Sequence, residues 1–308
     1  MPGVRGRYRF DEVLLRAAMG AALGLFLCLT APPLDAVAAP PPAATPAASE
    51  AWMSLPPVPA LPTPRQSGYA AVNGIRMFYA VYGEGQPVLL LHGGLANSDY
   101  WGSVIPLLVQ HHFQVIVADS RGHGRSTRTA EPYSYELMAS DVLGLLDFLK
   151  LPRVDLVGWS DGGIIGLDIA MRHPGRLRRL YAYGANADPS GVSDVESSPT
   201  FTRYIEQARG EYQKLSPTPQ EYDKFLAQIQ QMWAGQPNFT AAQLHSITVP
   251  TTIADGAHEE AIKREHTEYM ARSIPGAKLV ILPDVSHFGI LQNPREFADS
   301  VIGFLTAS

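Results

Sequence analysis

Short apolar runs recur along most of the chain, and several of them are followed by a longer segment with helical spacing. Six runs have the length of a strand, at residues 87–91, 115–118, 154–157, 180–183, 251–254 and 279–282. Uninterrupted apolar runs of this length are typical of strands buried on both faces. The helix-period segments lie at residues 135–149, 164–172, 259–274 and 294–305. Strands that alternate with helices predict an α/β fold with a mainly parallel sheet covered on both faces.

The pattern changes at two places, before the first buried run and in the second half of the chain. Asn73-Gly74, between alternating segments, is a tight-hairpin signal and extends the predicted sheet by a pair of strands. From about residue 188 to 245 the sequence is polar and helix-prone, is cut by Pro217 and Pro219, and has no strand signal. We interpret this segment as a short helical cap inserted between two strands of the core.

The first 67 residues differ in composition from the rest of the chain. Residues 1–38 carry arginines ahead of an apolar run and end in Ala36-Val37-Ala38, which is the arrangement of a secretory signal. Residues 39–67 are rich in Pro and Ala and predict a disordered leader. The catalytic domain is expected at residues 68–308. We expect an exported protein, periplasmic or secreted, with no stable membrane association after signal cleavage; retention of the apolar run as an anchor is the alternative.

Composition narrows the classes of partner and chemistry. The only cysteine, Cys28, lies within the predicted signal, so the mature chain has no thiol for a disulfide or a nucleophile. The formal net charge is -5, and no run of Lys or Arg is long enough to follow a phosphate backbone. We therefore expect no nucleic-acid partner.

The strongest chemical signal is the segment 157–163, Val-Gly-Trp-Ser-Asp-Gly-Gly, which joins a predicted buried strand to a predicted helix. A serine on such a sharp turn tolerates no bulk beside it, so the geometry requires glycines two positions to either side. Gly158 and Gly162 flank Ser160 in this way. Glycine-rich turns also bind phosphate, but the dinucleotide and phosphate-loop spacings are absent from this segment. We interpret Ser160 as a nucleophile whose hydroxyl projects from the sheet.

A serine nucleophile needs a base, and the base needs a third group to orient it. Where the serine lies on an elbow of this kind, the acid and then a histidine follow it along the chain. His287 comes directly after the last predicted strand and is the one histidine of nine in that place. We therefore assign His287 as the base rather than as a surface residue without a role.

The acid is expected in the loop that leaves the strand at residues 250–254. Asp255 belongs to the strand end, whereas a carboxylate three positions beyond Gly256 can turn toward the histidine, and that residue is Glu259. We favour Glu259 and keep three alternatives open, namely Asp255, Glu260 and, in the loop after the preceding strand, Asp188. For each of them the competing interpretation is a solvated or helix-capping carboxylate.

The oxyanion that forms on attack needs backbone N–H donors placed in advance. His92-Gly93-Gly94 follows the first strong buried run and offers one donor at Gly94. The second donor is the residue after the nucleophile, Asp161. His92 could be read as a metal ligand or a base, but we expect it to hold the loop in position by hydrogen bonding.

Four motifs come in the order of a known family, and together they are specific for its fold. They are His92-Gly93-Gly94, the Asp-Ser-Arg-Gly-His-Gly-Arg-Ser run at 119–126, the serine elbow at 158–163 and the Asp-Val-Ser-His run at 284–287. From about residue 68 to 305 the chain resembles the α/β-hydrolase superfamily, in particular the group that contains 3-oxoadipate enol-lactonases, cofactor-free haloperoxidases and valacyclovir hydrolase. The resemblance implies an eight-stranded, mainly parallel sheet with a short helical cap. It also implies that Ser160 and His287 are catalytic, with Gly94 and Asp161 as oxyanion donors. The acid departs from the family pattern, because Glu259 stands where aspartate is usual.

The predicted activity is hydrolysis of a small carboxylic ester or lactone through an acyl-enzyme, without a metal or an organic cofactor. An amidase, an aminopeptidase or a cofactor-free perhydrolase could use the same triad, and a non-catalytic ligand-binding homologue is a further alternative. His258-Glu259-Glu260-Ala261-Ile262 begins like a metalloprotease helix motif, but its fifth residue is not histidine. A dehalogenase or epoxide hydrolase of this fold would need aspartate at position 160.

The carboxylate of Asp161 allows one sharper interpretation. By resemblance to valacyclovir hydrolase, it could attract substrates that carry an ammonium group. We prefer a simpler role, in which a negative charge at the first turn of a helix interacts favourably with the helix dipole.

Overall fold

The apolar runs form the strands of one sheet. The computed structural model describes residues 48–307, and its eight strands lie in the order β1-β2-β4-β3-β5-β6-β7-β8. β1 pairs antiparallel with β2, and β2 with β4; the pairs from β4 to β8 are all parallel. The strands are β1 Gln66–Val72, β2 Ile75–Tyr82, β3 Gln86–Leu91, β4 Phe113–Ala118, β5 Val154–Trp159, β6 Leu177–Tyr183, β7 Thr251–Gly256 and β8 Lys278–Leu282. The predicted α/β fold with a mainly parallel eight-stranded sheet is confirmed.

Helices cover this sheet. They are α1 Ile105–Gln110, α2 Tyr135–Phe148, α3 Asp161–Arg172, α4 Pro199–Leu215, α5 Tyr222–Trp233, α6 Ala241–His245, α7 Arg264–Ser273, α8 Gly289–Gln292 and α9 Pro294–Leu305. α2 packs against α3, and α1 packs against α9. Every residue of the central strand β5 is buried, so side chains on both of its faces are covered.

One helix boundary differs from the sequence-based expectation. The helical pattern predicted from residue 259 begins in the structure at Arg264. The side chain of Glu259 instead accepts hydrogen bonds from the N–H groups of Ala261 and Ile262 in the loop that follows β7, and Glu260 accepts from the N–H of His287 in the loop that follows β8. Local bonds such as those of Glu259 compete with helix formation.

Helices α4, α5 and α6 lie between β6 and β7, in the interval where a cap was predicted. In α5 the buried residues recur every three or four positions, which gives the helix a single apolar face: Tyr222, Phe225, Ile229 and Met232. Arg128, in the loop between β4 and α2, forms an ion pair of 2.6 Å with Glu221 and a hydrogen bond of 2.6 Å with Gln228. These polar contacts attach the cap, defined here as residues 188–245, to the core.

The N-terminal segment differs in part from the predicted leader. The predicted signal at residues 1–38 and the first part of the leader lie outside the described residues. Residues 48–65 contact the folded domain that follows: Ala48–Met53 form a 3-10 helix, and Leu55, Val58 and Leu61 pack against the hydrophobic core. Apolar residues spaced among the prolines account for this packing, which a composition-based prediction does not detect. Within residues 48–307, no helix combines the length and apolar character needed to cross a bilayer.

Candidate active site

Ser160 lies on a sharp turn between β5 and α3. Its backbone angles are φ 54° and ψ -119°, a region that residues other than glycine rarely adopt. A Cβ on Gly158 would collide with the backbone of Gly162, and one on Gly162 would collide with the carbonyl of Leu91. Both flanking glycines are therefore sterically required, as expected for a nucleophile elbow. Ser160 is partly exposed, whereas the residues on either side of it are buried.

His287 and Glu259 form a hydrogen-bonded pair at the adjacent strand ends. The imidazole Nδ1 lies 2.8 Å from Oε1 and 3.0 Å from Oε2 of Glu259. Oε1 also accepts backbone hydrogen bonds from Ala261, at 2.6 Å, and Ile262, at 3.1 Å. Because a carboxylate only accepts hydrogen bonds, it selects the imidazole tautomer that carries its proton on Nδ1. Nε2 is then free to accept a proton.

Shared neighbours bring this pair to the serine. The Ser160 N–H donates to the carbonyl of Tyr183 at 2.7 Å, and a Cβ on the next residue, Gly184, would lie 2.9 Å from Cε1 of His287. The indole N–H of Trp159 donates to the carbonyl of His287 at 2.8 Å. The structure thus places the serine, the histidine and the glutamate at the same carboxyl edge of the sheet.

The three alternative acids have other partners. Asp255 is buried at the end of β7 and accepts hydrogen bonds from the Thr267 hydroxyl, at 2.6 Å, and the Gly256 N–H, at 3.0 Å. Glu260 accepts from the backbone N–H of His287 at 3.1 Å and so supports the loop rather than the imidazole ring. Asp188 caps the 3-10 helix Pro189–Gly191. Of the four candidates, Glu259 is the one whose carboxylate faces the imidazole.

Burial sets the charge states of the pair. It raises the pKa of Glu259 to about 7, against the opposing effect of hydrogen bonds from Asp255 and from the backbone of Ala261 and Ile262. Burial also lowers the pKa of His287 below its usual value, an effect that nearby carboxylates, Glu260 first among them, oppose. The imidazole is therefore neutral at physiological pH and can act as a general base.

The two predicted oxyanion donors lie next to each other beside the serine. Asp161 is the first residue of α3, where backbone N–H groups have no acceptor within the helix. A Cβ on Gly94 would stand 2.7 Å from Oδ2 of Asp161, and one on Gly93 would stand 3.1 Å from Cβ of Ser160. The arrangement can therefore present N–H groups to an oxygen bound at the serine.

His92 is committed to the loop that carries Gly94. Its Nδ1 lies 2.7 Å from the carbonyl of Gly93, and its Nε2 accepts from the N–H of Ser120 at 3.0 Å. Burial lowers the pKa of His92, so the ring is neutral and suits one donor and one acceptor bond. Across residues 48–307, the His, Cys, Asp and Glu side chains form no group of three or more that could hold a metal ion.

The side chain of Asp161 has partners that the sequence did not reveal. Its Oδ1 accepts from the Tyr135 hydroxyl at 2.8 Å, and the indole N–H of Trp233 lies 3.1 Å from Oδ1 and 3.0 Å from Oδ2. Burial raises the pKa of this carboxyl to about 6. Both carboxylate oxygens accept hydrogen bonds from the protein itself. This supports a structural role for Asp161 rather than recognition of a substrate ammonium group. Trp233 contacts Asp161, and Tyr204 contacts Gly94. Both residues belong to the cap, and no sequence motif indicated them.

Comparison with known proteins agrees with this geometry. A family model described as the alpha/beta hydrolase fold matches residues 86–221. Serine hydrolase BPHL of Homo sapiens is 29% identical over 262 residues, which cover 81% of this chain and 89% of the relative. A non-heme haloperoxidase of Rhodococcus erythropolis is 28% identical over 250 residues, which cover 70% and 91%. The crystal structure of the enol-lactonase from Burkholderia xenovorans LB400 matches with a TM-score of 0.63 and 25% identity over 78% of this chain and 100% of its own. The resemblance predicted from the motifs is confirmed.

Proposed function

We propose that this chain, which belongs to the α/β-hydrolase superfamily, is a serine hydrolase that cleaves a small carboxylic ester or lactone. The observation that carries the proposal is the Glu259–His287 hydrogen bond, 2.8 Å long, at the sheet edge where Ser160 occupies the elbow. A base with its orienting carboxylate beside a serine is the arrangement that activates a hydroxyl for acyl transfer.

In the first half-reaction the hydroxyl oxygen of Ser160 attacks the carbonyl carbon and Nε2 of His287 takes the hydroxyl proton. Glu259 stabilises the imidazolium that results. The N–H groups of Gly94 and Asp161 bind the negative oxygen of the tetrahedral intermediate. The intermediate collapses when the alcohol oxygen leaves with the proton from His287, which forms an acyl-enzyme. In a lactone that alcohol stays attached to the acyl group.

In the second half-reaction His287 takes a proton from water, and the hydroxide oxygen attacks the acyl-enzyme. Collapse of this second intermediate returns the proton to Ser160 and releases the carboxylic acid. Two features support small substrates. The cap has only two helices longer than two turns, of 17 and 12 residues. Aromatic side chains of these helices also contact the residues beside the serine: Tyr204 contacts Gly94, and Trp233 contacts Asp161. The name of the solved relative, an enol-lactonase, supports the inclusion of lactones.

Replacing the nucleophile tests the proposal. Ser160→Ala should lower kcat on p-nitrophenyl esters and simple lactones by about 10⁴-fold or more while leaving the folded state intact, because the residual rate depends on the oxyanion donors alone. A fluorophosphonate probe should label the unmodified protein at Ser160, which mass spectrometry of peptides would locate. The matched control is Ser190→Ala, an exposed serine in the 3-10 helix after β6.

Two results would contradict the proposal. Ester hydrolysis that survives Ser160→Ala would place the nucleophile elsewhere. An unmodified protein that neither hydrolyses the panel nor reacts with the probe would instead indicate a ligand-binding relative without catalysis.

A further inference from the structure

Two cap side chains make hydrogen bonds to the two residues proposed as oxyanion donors. The hydroxyl of Tyr204, on α4, donates to the carbonyl of Gly94. The indole N–H of Trp233, at the end of α5, lies 3.1 Å and 3.0 Å from the two carboxylate oxygens of Asp161. Each donor residue therefore has one polar contact with a different helix of the cap.

Packing at the same place leaves no room for a side chain on Gly94. A Cβ there would collide with the Trp233 ring and would stand 2.7 Å from Oδ2 of Asp161. The indole therefore lies against the Gly94 backbone while it binds the Asp161 side chain. Tyr204 is 4% exposed and packs against Trp159 and Phe288, so its hydroxyl has a fixed position.

The core fixes the two ends of the Gly94 loop and also the peptide that precedes Gly94, because the Gly93 carbonyl lies 2.7 Å from Nδ1 of His92 and accepts from the N–H of Ala96 at 3.2 Å. Nε2 of His92 accepts from the N–H of Ser120 at 3.0 Å, and Oδ1 of Asp119 accepts from the N–H of Ser98 at 2.7 Å. The peptide that follows Gly94 is the one that the cap contacts, and glycine has more backbone freedom than any other residue. An oxyanion donor must point at its target before the reaction begins, because reorientation during the reaction would raise the barrier.

We propose, resting on the hydrolase function proposed above, that Tyr204 and Trp233 are positioning residues that hold the oxyanion donors in place. Tyr204 fixes the peptide that follows Gly94, and Trp233 fixes the side chain of Asp161 and covers Gly94. The oxyanion hole is therefore complete only when the cap lies on the core. Neither residue contacts the reacting atoms; both act through Gly94 and Asp161.

This dependence links substrate entry to catalysis. The cap is also attached to the core by Arg128, which forms an ion pair with Glu221 and a hydrogen bond with Gln228. A substrate that holds the cap away from the core would be bound without a complete oxyanion hole. The cap thereby discriminates in the catalytic step and not only in binding.

The test removes the contacts of each residue separately. Tyr204→Phe deletes only the hydroxyl, whereas Trp233→Phe deletes the indole N–H together with part of the ring that covers Gly94. Each should lower kcat on a p-nitrophenyl ester by about 10- to 100-fold with KM within about twofold, because a misplaced donor weakens the transition state more than the bound substrate. Affinity for an alkyl boronic acid, whose tetrahedral adduct with Ser160 mimics the intermediate, should fall by a similar factor.

The matched control is Tyr212→Phe. Tyr212 is also a buried tyrosine of α4, but its hydroxyl lies 3.2 Å from Thr218 within the cap. It should retain the rate and boronate affinity of the unmodified protein. Thermal midpoints of all variants separate a loss of packing from a loss of positioning.

The outcomes distinguish this inference from the proposed function. If the unmodified protein hydrolyses esters and both Tyr204→Phe and Trp233→Phe match it in kcat and boronate affinity, the positioning roles are wrong although the function stands. A fall in kcat that Tyr212→Phe reproduces would also overturn them. If the unmodified protein is inactive and binds no boronate, the proposed function itself fails.

Discussion

The core contributes polar contacts to both sides of the candidate site, and the cap adds polar contacts to the oxyanion side. On the proton-transfer side, the polar partners of Glu259 and His287 come from the core: the backbone of Ala261 and Ile262, the carboxylate of Glu260 and the indole of Trp159. On the oxyanion side, the cap supplies a partner to each donor residue, as described above. Phe201 of the cap does pack against the His287 ring, at 5.3 Å between centroids, but that contact is apolar.

This difference separates what the sheet determines from what the insertion determines. Proton transfer requires an imidazole and a carboxylate in a fixed relation, and the strand ends provide it with short local loops. Stabilisation of the negative oxygen requires donors at a glycine loop, whose position depends on a packed partner. Changes within the cap are therefore expected to alter which substrates react while leaving the triad geometry intact.

The largest expected effect lies on the proton-transfer side. Glu259→Gln should lower kcat by about 10³- to 10⁴-fold, because an amide cannot stabilise the imidazolium and can select the wrong tautomer. The unmodified protein should gain kcat/KM as pH rises through about 7, since burial raises the pKa of Glu259 to about 7 and its negative charge forms above that pH. Steady-state kinetics between pH 5 and 9 would show both effects.

The controls for this prediction are Asp188→Asn and Asp255→Asn. Asp188 caps a 3-10 helix away from the imidazole, and Asp255 contacts Glu259 rather than His287. Both variants should keep kcat within about tenfold of the unmodified protein. A larger loss of kcat in Asp188→Asn than in Glu259→Gln would show that Asp188 is the acid. The proton-transfer side would then depend on a residue of the cap rather than on the core.

An intermediate effect is expected where the cap meets the oxyanion loop. Burial raises the pKa of Glu211, on α4, to about 7, and Nδ2 of Asn97 donates to it at 3.0 Å. The folded state thus holds this carboxyl in its neutral form, and its ionisation lowers the free energy of unfolding as pH rises from about 4.5 to about 7. Glu211→Gln removes that loss, so we expect it to be about 1–2 kcal/mol more stable at pH 8.

The gain should nearly disappear at pH 4, where the unmodified carboxyl is mostly protonated in both the folded and the unfolded state. Chemical denaturation at the two pH values measures the difference, and Glu206→Gln, on the exposed side of the same helix, is the control. Equal stabilisation by Glu211→Gln at pH 4 and pH 8 would show that ionisation of Glu211 does not lower the free energy of unfolding.

The smallest expected effect concerns the N-terminal segment. The Trp52 ring stacks on His258, the neighbour of Glu259, with 4.1 Å between centroids and 6° between planes. Nε2 of Gln292 donates to the carbonyls of Trp52 and Ser54 at 3.0 Å and 2.9 Å. Loss of about 1 kcal/mol of stacking in Trp52→Ala should lower kcat by up to about fivefold.

Trp52→Phe should restore most of that rate, because it keeps a stacked ring. Boronate affinity, which reports on the oxyanion donors, should stay near that of the unmodified protein in both variants. An equal loss of boronate affinity in Trp52→Ala would show that the two sides of the site are not independently held.

Local constraints made much of the fold, and the placement of Ser160, His287 and Glu259, predictable from the sequence. The inner strands were predictable because their runs are mostly apolar and buried on both faces. The run at 279–282 forms the edge strand β8 instead, where Leu279 is 43% exposed, so the expected burial on both faces was wrong there. The elbow was predictable because Gly158 and Gly162 have no steric alternative. The position of Glu259 beside His287 was predictable from its distance from the end of β7, a spacing that a short loop cannot change.

The rest depends on packing between distant segments. Tyr204 and Trp233 lie 110 residues from Gly94 and 72 residues from Asp161, respectively. Which face of a cap helix meets the core is decided by tertiary contacts that periodicity does not encode. The contacts of residues 48–65 were missed for the same reason, since Leu55 and Val58 are isolated among prolines and show no period.

The backbone of Ser160 has a consequence for how this chain can change over generations. Its φ of 54° lies where a side chain is disfavoured by about 1–3 kcal/mol, and glycine would avoid that penalty. Demand for heat tolerance and demand for turnover therefore pull this single codon in opposite directions. A descendant that no longer needs hydrolysis could gain stability by the single substitution Ser160→Gly. Selection for thermal stability alone would therefore favour loss of the hydroxyl.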